Sequence, residues 1–160
     1  MGQTCSPAAW RRVRRRLRLK AQLSLKATDS PSTKKNADGS GKCDIEATEN
    51  SGERVYGVLF RISAAEAGSL DRAEGLGKGY RKGYVQIVMA NGTSPAVAYF
   101  ATEKDPVRQP YQWYEAFVVA SAVEHALPDT YIEGLRAVPS QPDPDATRRS
   151  KNEAALADYA

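Results

Sequence analysis

Carboxylates and tyrosines are the side chains in this sequence with the most scope for chemistry, because the softer nucleophiles and metal ligands are scarce. Cys5, Cys43 and His125 are the whole complement of cysteine and histidine in 160 residues. A four-ligand Cys/His zinc site cannot be assembled from them. A nucleophilic triad would need His125 as its base, and no G-x-S-x-G elbow presents a serine to it. Gly75, Gly77, Gly79 and Gly83 thread through a basic stretch, but a dinucleotide fingerprint needs glycine where Tyr80 stands, and the P-loop pattern is also unmet. Glu74 is the most interesting carboxylate. It closes a short helical pattern, is followed by glycine, and lies between apolar strands. A carboxylate in an apolar pocket resists ionisation, so it can exchange protons near neutral pH. The plain alternative is a glutamate exposed at a helix end.

The elements that would position Glu74 can be read on either side of it. Val55–Ile62 is apolar and β-branched, as a buried strand requires. Ser63-x-x-Glu66 then forms a capping box that opens a helix, with Leu70 and Ala73 turned inward, and Gly75 supplies the left-handed residue that ends it. A strand is expected over Tyr84–Met89, a turn at Asn91-Gly92, and a returning strand over Ala96–Phe100. Asn91-Gly92-Thr93 matches a glycosylation sequon and is read only as that turn. Tyr114, Phe117, Val118 and Ser121 share one face of a helix between Tyr111 and Ala126. Pro128 breaks it, and Asp129–Val138 reads as a second helix. Residues 27–53 read as a long polar loop and residues 141–160 as a tail or peripheral helix. The expected fold is α+β. Its sheet is small, curved or barrel-like and mostly antiparallel, with two or three helices packed on it and one domain over residues 1–140.

Composition narrows the class further. Apolar residues make up 41% and charged residues 26%, which suits a globular domain and not a disordered chain. The net charge of +4 conceals a basic head: residues 1–42 carry +9 and the remainder −5. Arg11–Lys20 holds seven basic residues, a composition shared by transit peptides and by patches that bind nucleic acid or anionic surfaces. From Leu17 to Leu25, however, apolar and polar residues alternate. That period of two belongs to a half-buried strand with one solvated basic face. Nucleic acid is therefore not expected as a partner. No apolar run reaches the length of a membrane span, and sparse cysteine suits a reducing, cytoplasmic setting.

Two blocks carry a family resemblance. Val55-Tyr56-Gly57-Val58-Leu59-Phe60, then Ser69-Leu70-Asp71-Arg72-Ala73-Glu74-Gly75 and Gly79-Tyr80-Arg81, form the first. Pro110, Tyr114, Ala120, Glu124-His125-Ala126-Leu127-Pro128 and Tyr131 form the second. Together they resemble the gamma-glutamylcyclotransferase (AIG2-like) family over roughly residues 5 to 138. Ser121 and Ala126 stand where that family usually has glycine. The resemblance implies a gamma-glutamyl cyclotransferase-like fold and an intramolecular acyl transfer in which a small γ-glutamyl amide closes to 5-oxoproline and releases an amine or amino acid. It implies Glu74 as general acid and base, with Tyr80, Tyr114 and Gly75 lining the substrate pocket. No metal or cofactor is implied, and oligomeric state is left open.

One departure bears on activity. Family members begin with a strand and a Y-G-S-N loop that holds the γ-glutamyl group on backbone N–H groups. No such motif occurs in this sequence, and Met1–Ala8 resembles the segment that follows it. The expectation is an N-terminally shortened domain, with weak or absent turnover from these 160 residues as they stand. The competing functional class is a non-catalytic binding domain whose basic head contacts nucleic acid or an anionic surface.

Overall fold

The computed structural model describes residues 38–46 and 54–157 in full, and the backbone of residues 19–23 and 33–35. The described strands are β1 (Leu19–Leu23), β2 (Thr33–Lys35), β3 (Gly41–Cys43), β4 (Val55–Leu59), β5 (Tyr80–Met89) and β6 (Gly92–Ala101). The described helices are α1 (Ala64–Glu74), α2 (Gln112–Glu124), α3 (Asp129–Arg136) and α4 (Ala146–Ala157).

β4, β1, β5 and β6 form an open antiparallel sheet in that order, and β2 and β3 form a separate two-stranded ribbon. The class is α+β, as expected, with the described sheet open, α1 to α3 where three helices were read, and α4 where a tail or peripheral helix was read. The alternating segment around Leu19–Leu23 is indeed a strand, and it lies between β4 and β5. The rest of the basic head lies outside the described residues. The segment read as one polar loop contains the β2–β3 ribbon, whose Thr33-Lys34-Lys35 and Gly41-Lys42-Cys43 carry too few large apolar residues to signal strands.

β5 and β6 pair without interruption from Tyr80↔Ala101 to Met89↔Gly92. The two residues between them are therefore Ala90 and Asn91, one position earlier than the Asn-Gly reading. Gly92 takes φ 122° as the first residue of β6. Gly83 serves a different need. A Cβ built there would lie 2.6 Å from Phe100 Cε2, because the Phe100 ring lies across the glycine and under the Arg81 guanidinium, 4.8 Å from its centroid. Gly83→Ala should displace that ring and cost about 1–3 kcal/mol, read as a lowered thermal midpoint. An unchanged or raised midpoint would show that Phe100 yields freely.

The helical layer has its own core. Tyr111, Trp113, Tyr114 and Phe117 are buried together, with Val118 and Leu156 packed against them. α4 thereby joins α2, and the segment leading to it is tied down as well. Gln141 bonds with Pro110 and Gln112 through the backbone, and the Asp143 carboxylate receives the Trp113 indole N–H at 2.8 Å.

Candidate functional site

Local sequence explains how Glu74 reaches the interior. Ser63 Oγ accepts the Glu66 N–H at 3.3 Å while Glu66 Oε2 accepts the Ser63 N–H at 3.0 Å, completing the capping box. At the other end Gly75 adopts φ 72°, and the Leu76 N–H returns to the Asp71 carbonyl at 2.9 Å, a closure open to glycine without penalty. Between these stops the covered positions include Ala67, Leu70, Asp71 and Glu74, spaced as one helical stripe. Two of the four are carboxylates. Glu74 itself is only 5% exposed, so the plain alternative of an exposed helix-end glutamate does not hold.

Asp71 is gripped from the sheet. The Tyr99 hydroxyl donates to Asp71 Oδ1 at 2.5 Å, and Lys82 Nζ donates to the same carboxylate at 2.6 Å. Lys82 and Tyr99 are cross-strand partners, so their side chains leave the same face of the sheet. The two hydrogen bonds outweigh partial desolvation and hold the Asp71 carboxyl below its ordinary range. Burial first, and then the hydrogen bond and charge of Asp71 and the charge of Glu74, push the Tyr99 phenol above its ordinary range.

The segment after Glu74 is a compact turn and not an anion cradle. The Gly77 N–H donates to the Tyr80 carbonyl and the Lys78 N–H to the Gly75 carbonyl, at 2.9 and 2.8 Å. Those donors are engaged within the turn, in keeping with the failed phosphate-loop spacing. The turn delivers Tyr80 to the start of β5, paired with buried Ala101. Ala101 donates its N–H to Asp44 at 2.8 Å, and Lys104 balances the buried Asp44 carboxylate at 2.9 Å. The stretch after β3 is thus stapled to the end of β6.

Tyr114 occupies the helical core. Its oxygen accepts the Cys43 N–H at 3.2 Å, and its ring meets Trp113 edge-on. Lys42 is 3% exposed and lies 4.2 and 4.4 Å from the Tyr114 and Trp113 ring centroids. Desolvation lowers the Lys42 ammonium below its ordinary range, opposed by Asp38 at 3.8 Å. The ring faces repay part of that cost through cation–π attraction. His125 caps α2, with Nδ1 2.9 Å from the Ser121 carbonyl. Glu74, Gly75 and Tyr80 therefore sit in one helix–turn–strand unit. Tyr114 is tied to the β3–α2 cluster.

The AIG2-like family pattern matches residues 54–135, from the start of β4 to the end of α3. The chain belongs to the AIG2-like family. Among solved structures, a gamma-glutamyl cyclotransferase is similar at TM-score 0.70 and 20% identity, over 88% of this chain and 83% of that one. The uncharacterized protein loc79017 from Homo sapiens is similar at TM-score 0.76 and 20% identity, over 94% and 91%. YkqA from Bacillus subtilis is similar at TM-score 0.63 and 19% identity, over 77% of this chain and 45% of its own. At these identities the likeness is one of fold. A search of curated protein sequences found no match. Within the family block, Asp71, Lys82 and Tyr99 are the site neighbours that sequence reading passed over. Lys82 and Tyr99 are equidistant from the Ala90-Asn91 turn, so a correct turn register would have paired them. Among the described residues, no helix is long and apolar enough to cross a membrane.

Proposed function

We propose that this AIG2-like chain cyclises a γ-glutamyl amide to 5-oxoproline and releases the amine or amino acid, with Glu74 as general acid and base. The observation that carries the reading is the burial of Glu74 at the end of α1, inside the block that matches the family. The Glu74 carboxylate takes a proton from the substrate's α-ammonium. The freed amine attacks the γ-carbonyl carbon, closing a five-membered ring. Glu74 then returns that proton to the leaving nitrogen and the amide C–N bond breaks. The ring nitrogen gives up its second proton to the released amine or to solvent, leaving the neutral lactam and the restored carboxylate. Because nucleophile and electrophile belong to one molecule, effective molarity supplies much of the rate. The protein's task is to hold a reactive conformer and shuttle one proton. Tyr80 and Gly75, on the turn beside Glu74, are assigned to the pocket wall; Tyr114, held in the helical core, is assigned there on the family resemblance alone.

A panel of γ-glutamyl amides with amino-acid, polyamine and antibiotic leaving groups tests this reading. It should yield 5-oxoproline and free amine in equal amounts from at least one member. Release of glutamate in place of 5-oxoproline would make water the nucleophile and overturn it.

A further inference from the structure

Asp71 lies three residues before Glu74, one helical turn away on the same covered stripe. Its main chain and side chain do separate jobs. The carbonyl accepts the Leu76 N–H that closes the helix just past Glu74, while the carboxylate reaches the sheet and takes hydrogen bonds from Tyr99 and Lys82. The Tyr99–Asp71 contact at 2.5 Å is among the shortest polar contacts described, and its two partners are 28 residues apart in sequence. It fixes the last turn of α1 against the β5–β6 pair near its open end, two pairs in from Tyr80↔Ala101. The exposed flank of the same face shows how local this grip is. The next cross-strand pair, Tyr84 and Val97, is 86% and 51% exposed.

We propose that Asp71, Tyr99 and Lys82 form a positioning clamp that sets both the placement of the Glu74 carboxylate and the field it feels. The inference rests on the reading of Glu74 as the proton shuttle, but its geometry does not depend on turnover. Asp71 is a negative charge about one helical turn from Glu74. Tyr99 and Lys82 blunt that charge by hydrogen bonding to it. Other ionisable groups on the surrounding elements are Arg72 on α1, Lys78 in the turn, and Tyr80 and Arg81 on β5. Arg72 bonds to Ser69 and Arg81 stacks on Phe100. Tyr99 senses both carboxylates, since the charges of Asp71 and Glu74 each disfavour its ionisation.

Carbon-13 titration of the Glu74 carboxyl, followed by NMR in the full chain, tests the clamp without a substrate. Asp71→Asn removes a like charge, so the Glu74 titration midpoint should fall by about half a pH unit or more. Tyr99→Phe leaves Asp71 less neutralised, so the midpoint should rise. Opposite movements are expected of a tuned field; a clamp that only stiffened the helix would give no such sign reversal. Midpoints unchanged in both variants would overturn the proposal. On any amide the wild type turns over, Tyr99→Phe should lower kcat about tenfold with KM within about twofold. Opposite midpoint shifts without turnover by the wild type would sustain the clamp and sink the cyclotransferase reading. Unmoved midpoints with normal turnover would do the reverse.

Discussion

Glu74→Gln should reduce 5-oxoproline release by about 10²–10⁴-fold, the range a positioned general acid–base group contributes, while the thermal midpoint stays within a few degrees. The substitution is nearly isosteric and leaves α1, its capping box and its glycine closure intact. Glutamine still fills the covered site at the end of the helix. It cannot accept the ammonium proton or return one to the leaving nitrogen. Substrate binding should persist, so kcat falls while KM changes little. Full turnover by the glutamine variant would remove Glu74 from the mechanism. A collapse of the fold would instead mean that the carboxylate is chiefly structural.

The second large effect concerns stability. Asp143→Ala should cost about 3 kcal/mol, because it strips the partner from a charge held in a mostly buried network. Asp143 is 1% exposed. It accepts the Arg148 guanidinium through both oxygens at 2.6 Å, the Trp113 N–H at 2.8 Å and the Asp145 N–H at 2.9 Å. The guanidinium also lies 5.2 Å from the Tyr111 ring centroid, so the pair seals α4 onto the aromatic core. For a chain of this size that loss lowers the thermal midpoint by about 10 °C. Loss of Asp105, whose pair with Arg108 is about one-third exposed on each side, should cost under about 1 kcal/mol.

The same network sets an acid limit. Burial would raise the Asp143 carboxyl, but the hydrogen bonds from Arg148, Trp113 and Asp145 outweigh it and bring it to about 2, from an ordinary 3.8. A carboxyl depressed by folding stabilises above its unfolded value and loses that contribution as pH falls through the folded value. About 2 kcal/mol should therefore disappear between roughly pH 4 and pH 2. In Asp143→Ala that part of the acid-unfolding slope should be missing. An unchanged slope would place the acid sensitivity elsewhere.

Signals that act within a few residues were legible in the sequence. The Ser63–Glu66 box and the Gly75 closure are set by neighbours along the chain, and they locate Glu74 at a helix end before any tertiary contact is known. The Tyr114–Phe117–Val118 face likewise follows from helical periodicity. What was missed depends on partners far away in sequence. Lys42 looks like one more charge in a polar stretch, and only the rings of Trp113 and Tyr114 make it an interior residue. Residues 141–160 read as a tail or peripheral helix, and only the Asp143 bonds to Trp113 and Arg148 show what ties that helix to α2. Tyr99 reads as an ordinary strand tyrosine, and its tie to Asp71 spans the whole β5–β6 hairpin. Patterning could place Glu74 at the end of its helix. The clamp beside it required the strand register.

Intramolecular attack governed by Glu74 leaves a signature that oxygen labelling reads. A γ-glutamyl amide is turned over in H₂¹⁸O by the full chain, and the glutamyl product is analysed by mass. Cyclisation uses no water, so the expected product is 5-oxoproline without ¹⁸O, formed by the wild type and lost in Glu74→Gln. Glutamate carrying one ¹⁸O, or unlabelled 5-oxoproline formed equally fast by the glutamine variant, would contradict it.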